Sequence, residues 1–214
     1  VFGGISMAML IGSYWLFSWP VYLFWIVIAA FIYGLIMPLI VSAYVYDFSG
    51  YYRFEWLKQY SLNDGEHKLF LNINAGFDET SFILHHHFPK ATLRVFDFYN
   101  PQQHTEPAIV RARKVSMVYP GTQVIRTNEL PLSDQSADVI FLLSAAHEIR
   151  KPEEKILFLQ ECHRVCKPGG QVIMVEHLRD FPNFLAFTVG FTHFFSRKTW
   201  KKAFTAAGFS SFEE

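Results

Sequence analysis

Charge is missing from the opening stretch of this chain. Val1 to Tyr46 contain no Asp, Glu, Lys, Arg or His, although the 214 residues carry 19 basic, 19 acidic and 9 His side chains. An apolar run of that length excludes an ordinary strand or helix of a small soluble core. Cysteine is scarce too. Only Cys162 and Cys166 occur, which excludes a disulfide-stapled secreted scaffold. Neither sign of charge is in excess, the formal net charge being +0, so no electrostatic footprint for nucleic acid exists and none is expected as a partner. The two cysteines flank His163 but lack the four-ligand spacing of a zinc site, and read as buried helix-face thiols. His85, His86 and His87 are consecutive, so on a helix they point apart and do not converge on one ion. No metal is expected.

What the opening stretch does contain is two apolar blocks, Ile5–Trp19 and Val21–Val45, divided by Pro20. A helix needs about 20 apolar residues to cross a bilayer. Pro38 inside the second block is better tolerated in a membrane than in water. Tyr14, Trp15, Trp19, Tyr22 and Trp25 cluster near the division, and Tyr44, Tyr46, Tyr51, Tyr52 and Trp56 at the far end, as interfacial belts do. A signal peptide is a poor match, because no basic segment precedes the apolar run. Residues 1–46 are therefore expected to form a membrane anchor of one or two spans, 47–67 a juxtamembrane linker and 68–214 a globular domain. Arg53 and Lys58 place that domain on the cytoplasmic side by the positive-inside tendency. A buried hairpin within a larger soluble assembly is the competing reading.

From Lys68 onward, strand-like and helix-like stretches alternate. Strands are expected at Leu69–Ile73, Leu93–Phe98, Gln123–Arg126, Ala137–Leu143 and Gln171–Val175. Helices are expected from the Asn74–Ala75–Gly76 turn to about His87, over Thr105–Val118 and Pro152–Val165, and over Thr199–Ala207, which Gly208 closes. Alternation at this spacing predicts an α/β fold, a doubly wound, mostly parallel sheet with its ligand site at the carboxyl ends of the strands.

The order of motifs in Lys68–Glu214 resembles the class I S-adenosylmethionine-dependent methyltransferase family, which has a Rossmann-like fold. Leu71–Asn72–Ile73–Asn74–Ala75–Gly76 stands where that family has its Gly-rich turn after strand one. Asp97, 21 residues after Gly76, stands where an acid holds the ribose hydroxyls. The run from Leu130 to Ile140, with Asp134, Ser136 and Asp138, is similar to the family's entry into strand four. Arg164–Val165–Cys166–Lys167–Pro168–Gly169–Gly170 matches its entry into strand five, and Ala206–Ala207–Gly208–Phe209 its entry into strand six, expected at Phe209–Phe212. The seventh strand of the family is not readable in this sequence.

The resemblance implies S-adenosyl-L-methionine as cofactor, held by Asn72, Asn74, Ala75, Gly76, Asp78, Asp97, Phe98, Thr127, Asn128 and Ser144. The chain departs from the pattern within that set. Gly76 alone of three motif glycines remains, Asn72 replaces the usual acid, and Thr127 and Asn128 stand where an adenine-contacting acid is expected. Asn74 tolerates left-handed backbone angles, and Asp78 or Glu79 can replace the lost carboxylate. After strand four, His147 and Glu148 are candidates for a general base or for orienting an acceptor hydroxyl; capping the next helix is the structural alternative. Glu176 and His177 hold the equivalent place after strand five. Phe181–Phe195, with six Phe, is expected to form a lipid-facing lid over the acceptor pocket, or else a core helix.

Anchor and resemblance together lead to a membrane-anchored methyltransferase with a lipid-soluble acceptor, such as a quinone precursor or a lipid. The altered turn and the aromatic hairpin lead instead to a non-catalytic accessory subunit docked on other membrane subunits.

Overall fold

The computed structural model describes residues 2–60, 62, 66–102 and 107–214. The chain divides into two compact units, one of residues 1–51 with 179–193 and one of residues 52–178 with 194–214.

In the first unit, α1 (Phe2–Phe17) and α2 (Val21–Ala43) form an antiparallel hairpin. Its turn holds Ser18 at φ +49 and Pro20, whose carbonyl accepts from the amides of Leu23 and Phe24. Tyr14 meets Phe24 at 4.4 Å between ring centres, and Leu35 lies beside Gly3. The helix continues through Pro38 and ends in a π turn, Tyr44–Phe48. Val21–Arg53 is long and apolar enough to cross a membrane, and Gly3–Phe17 is shorter. Of the α2 side chains only Ile28 is buried. α6 (Phe181–Phe187) and a 3-10 segment, Thr188–His193, pack into the same unit, with α6 against α2.

The second unit is a five-stranded parallel sheet in the order β3-β2-β1-β4-β5. Its strands are β1 (Leu69–Asn74), β2 (Thr92–Asp97), β3 (Gln123–Val124), β4 (Ala137–Leu143) and β5 (Cys166–Val175). Neighbouring side chains of a strand point to opposite faces, and both faces of β1 and β4 are buried. Leu71, Ile73, Ile140 and Leu142 join Phe158, Leu159, Cys162 and Val165 of α5 (Pro152–Val165) and Trp200, Ala203 and Phe204 of α7 (Arg197–Ala206). Phe70, Val139, Phe141 and Leu143 pack on the other face with Leu84 of α3 (Ser81–His87) and with Phe54 and Leu57. Successive strands run outward from β1 to β3, and then the chain returns to place β4 on the other flank of β1. The switch point lies between β1 and β4, where such sheets bind ligands.

Two sequence motifs prove to be braces of this sheet. Arg164 on α5 donates to the carbonyls of Leu130 (3.0 Å) and Leu132 (2.9 Å) and to Asp134 and Glu161 (each 2.7 Å), locking the loop before β4 onto the helix. Asp138 accepts from the Leu69 amide and from Lys167, both at 2.8 Å, tying β4 to the start of β1 and the entry to β5. Burial opposes the charge on Asp138, but Lys167 and the amide hold its carboxyl below the usual range. Gly170 permits a close approach: a Cβ there would sit 2.9 Å from the Asp138 carbonyl oxygen.

Several elements differ from expectation. The helix after β2, α4, covers Pro107–Ala112 only; Thr105 and Glu106, where the sequence pattern starts it, lie outside the described residues. β3 is two residues long, and β5 begins at Cys166, before the Pro–Gly–Gly turn. Phe209–Phe212 forms no strand, because Phe209 and Phe212 turn onto the ring of Phe204, at 5.2 and 6.3 Å. Cys162 is fully buried, and burial pushes its thiol up, so it stays protonated as a core group.

Candidate active site

Two clusters of polar side chains stand at the carboxyl ends of the strands. The first is built where β1 and β2 end in register, Asn74 opposite Asp97. Asn74 Oδ1 accepts from the Gly76 amide at 3.1 Å, which turns the chain and holds Gly76 at φ +92. Only glycine takes that angle without strain, and space enforces it as well. A Cβ at Gly76 would lie 2.6 Å from Arg113 Nη1 and 2.8 Å from the Tyr99 side chain.

Arg113 fills this corner. Its Nη1 donates to Asp97 Oδ2 at 2.9 Å and to the Gly76 carbonyl at 3.0 Å, and its guanidinium lies 4.1 Å from the centre of the Tyr99 ring. Asp97 Oδ1 accepts from the Tyr99 amide at 2.8 Å. Asn72, in contrast, is buried and spent: its Nδ2 donates to Thr80 Oγ1 (2.9 Å) and Ser81 Oγ (2.8 Å). Asp78 Oδ1 accepts from the amides of Thr80 and Ser81, at 3.1 and 2.9 Å, and so pins the start of α3. Asn74 Nδ2 and Asp78 Oδ2 are buried without a hydrogen-bond partner among the described residues.

The remaining cofactor-side candidates are scattered. Ala75 is buried in the turn, and the Phe98 ring is in the core, 5.5 Å from Phe158. Thr127 Oγ1 bonds to Glu154 at 2.7 Å, and Asn128 is exposed in the turn between Arg126 and Glu129. Ser144 ends β4 at φ +53, its amide bonded to the Val175 carbonyl at 2.8 Å. A non-glycine residue at such an angle costs about 1–3 kcal/mol and occurs most often at functional sites.

The second cluster joins the ends of β4 and β5. Glu176, its side chain 2% exposed, accepts from the His147 amide (3.2 Å) and pairs with His147 Nδ1 (2.7 Å). The other ring nitrogen, Nε2, lies 3.3 Å from Glu148. Burial works against charge on His147, but the Glu176 carboxylate, aided by Glu148, overrides it and raises the ring to about 10. At neutral pH His147 is thus an imidazolium between two carboxylates. Nearby, buried Lys155 points its ammonium at the ring of Phe195 (3.0 Å) and at Trp200 (4.4 Å). Burial and the charge of Arg150 lower it to about 8.

Sequence reasoning missed Tyr99, Arg113 and Lys155. Tyr99 carries the only readable signal, an aromatic residue two places after the strand-end acid. Nothing in the spacing of Arg113 or Lys155 marks either one.

The sheet order, the turn after β1 and the acid at the end of β2 define the class I methyltransferase fold. Residues 80–174 match the family model described as "Methyltransferase domain". That stretch is thus similar to a methyltransferase domain, and the sheet it belongs to has the methyltransferase fold. Among solved structures, YcgJ from Bacillus subtilis is 20% identical, with a TM-score of 0.50 over 72% of this chain and 67% of that one. A SAM-dependent methyltransferase from Methanosarcina mazei is 16% identical, with a TM-score of 0.51 over 71% of this chain and 82% of that one. The complex of the Haloferax volcanii Trm112 methyltransferase activator with a candidate methyltransferase is matched at 18% identity and a TM-score of 0.45, over 67% of this chain and 62% of that one. No curated protein matches the sequence.

Proposed function

We propose that this chain is a membrane-anchored S-adenosylmethionine-dependent methyltransferase whose acceptor is lipid-soluble, a quinone precursor or a lipid. The observation that carries the reading is connectivity. The chain leaves the tip of β5, which bears Glu176, and within a few residues enters the largely apolar unit formed with α1 and α2. α2 exposes its apolar side chains along almost its whole length, which hydrocarbon tolerates and water does not. Arg53 and Lys58 favour a cytoplasmic position for the domain.

The residues at the tips of β1 and β2 suit the cofactor. Asp97 offers two oxygens to a ribose diol, and the unspent Asn74 Nδ2 and Asp78 Oδ2 offer a donor and an acceptor to an amino-acid end. The cofactor supplies an electrophilic methyl group on a sulfonium. Placement of the acceptor against it provides much of the rate. Glu148, steadied by the His147 imidazolium, accepts the hydrogen bond of an acceptor hydroxyl and takes its proton as the oxygen is methylated. Buried Glu176 holds His147 by one bond to its ring and one from its backbone amide, so His147 is a positioning residue in this scheme.

A non-catalytic accessory role is the second reading. The Arg113 guanidinium standing against Gly76 and Asp97 favours it, as does the hydrogen-bonded burial of Asn72. Calorimetric titration of the full chain in detergent with S-adenosylhomocysteine separates the two. Binding with stoichiometry near one supports the enzyme, and its absence in a folded sample sinks it. Transfer of labelled methyl from S-adenosylmethionine into an organic-solvent extract of membranes then tests the acceptor class.

A further inference from the structure

We infer that Arg179–His193 is a re-entrant membrane element, immersed in lipid hydrocarbon to the depth of the middle of α2. The inference rests on the anchor reading above and adds a second lipid-contacting segment to it. Within the N-terminal unit, Tyr33 Oη donates to the Leu185 carbonyl at 2.7 Å. Tyr33 lies 12 residues from Val21 and 10 from Ala43, about 18 and 15 Å at a rise of ~1.5 Å per residue. It therefore marks the middle of the helix, and α6 reaches that level.

The bond itself fits hydrocarbon. The Leu185 carbonyl is among the last four of α6 (Phe181–Phe187), which no intrahelical amide can satisfy. In water solvent would serve, but in a bilayer the partner must be internal. Further groups of the segment are satisfied internally as well. Asp180 Oδ1 accepts from Asn183 N and Nδ2, both at 2.9 Å; Thr192 Oγ1 donates to the Val189 carbonyl at 2.7 Å; Arg179 Nη2 donates to the Thr192 carbonyl at 2.7 Å.

Charge follows the same plan. Between Asp180 and His193 there is no ionisable side chain. Outward-facing groups include Phe181 at 69% exposure and Val189 at 79%. Arg179, Asp180 and His193 stand only at the two ends, where the segment enters and leaves. Its base is closed by pairing of Leu178 with Phe195. A lid working in water would leave this apolar surface bare, whereas the α1–α2 hairpin continues it into one lipid-facing surface.

The test measures depth and not activity. Variants of the whole chain with one added cysteine, Leu185→Cys or Val189→Cys, are labelled with an environment-sensitive fluorophore in phosphatidylcholine vesicles. Native Cys162 and Cys166 are buried and stay unlabelled in the folded chain. Ile32→Cys, midway along α2, and Val124→Cys, exposed on β3, are the references. Lipids carrying a spin label at acyl carbon 12 or carbon 5, and aqueous iodide, are the quenchers. The Leu185 probe is expected to match Ile32 within about twofold, quenched most by the carbon-12 label and little by iodide. Quenching dominated by iodide, as for Val124, or by the carbon-5 label alone, overturns re-entry. If Ile32 is itself quenched from water, the anchor falls as well, so failure of the anchor and failure of the present inference are told apart.

Discussion

Removing the Arg113 side chain should tighten cofactor binding. Arg113 bridges Asp97 Oδ2 and the Gly76 carbonyl at 2.9 and 3.0 Å and faces Tyr99, so a nucleoside bound at Asp97 must displace it. A buried charge-assisted bond is worth about 1.5–3 kcal/mol. Here the Arg113 side chain is 37% exposed, and solvent screening cuts the cost of displacement to about 1–2 kcal/mol. Arg113→Ala should therefore lower the Kd for S-adenosylhomocysteine by about 5–30-fold, at a stability cost of the same size, about 1–2 kcal/mol. Arg113→Lys keeps the charge but loses the planar fork, and should fall between the two. Asp97→Asn should weaken binding in the Arg113→Ala background as well, because its loss there is the loss of a ligand. Titration calorimetry on the full chain in detergent reads all four proteins. Unchanged or weaker binding by a folded Arg113→Ala protein refutes the displacement argument and makes Arg113 part of the cofactor's own cradle.

Four further outcomes follow from the same geometry. The folded-state value of His147 is raised from 6.5 to about 10, so its stabilisation is complete below pH 6.5 and is lost as pH rises through 10. The difference in denaturation free energy between the parent and His147→Gln should shrink by up to ~1.4 kcal/mol per pH unit across that window; a constant difference would show that the ring is neutral in the fold. Lys155, lowered from 10.5 to about 8 by burial and by Arg150, has the opposite sign: folding disfavours its charge, a cost that is full below about 8 and fades as pH rises towards 10.5. Lys155→Met should be stabilising by about 1–2 kcal/mol at pH 7 and neutral above pH 10, and equal effects at both pH values would contradict it. Gly76→Ala forces a Cβ into Tyr99 and Arg113 at a positive φ; it should cost at least about 1–3 kcal/mol and abolish cofactor binding, read by thermal melting and calorimetry. Phe158→Ala, emptying a fully buried site against Phe98, should cost about 3–5 kcal/mol by urea titration.

The elements most legible in the sequence are those fixed by local chemistry. α5 has Pro152 in its first turn, Glu153 and Glu154 after it, and His163 and Arg164 in its last turn, each placed as the helix dipole favours. β4 matches its apolar run residue for residue, because both of its faces are buried. The strand expected at Phe209–Phe212 was not legible as what it is. It is expected from the family resemblance alone, and the two rings find a nearer partner in Phe204. Among the candidate site residues, Asn72 and Asp78 illustrate the same limit. Their types suit a cofactor loop, yet which atoms are spent on Thr80 and Ser81 depends on where α3 begins.

By itself, the sequence determined the parts whose physics is additive along the chain. The uncharged opening stretch and the alternation of strands and helices follow from composition, period and spacing, whereas the Arg164 and Asp138 motifs were legible only through the family resemblance. Tertiary structure alone decided which distant side chains share a site. It set Arg113 against Asp97, His147 between Glu176 and Glu148, and Lys155 against Phe195 and Trp200. It also joined Arg179–His193 to a helix some 150 residues earlier (Tyr33 to Leu185, a separation of 152). Those pairings are set by packing and desolvation among residues far apart in the chain, and no local spacing encodes them.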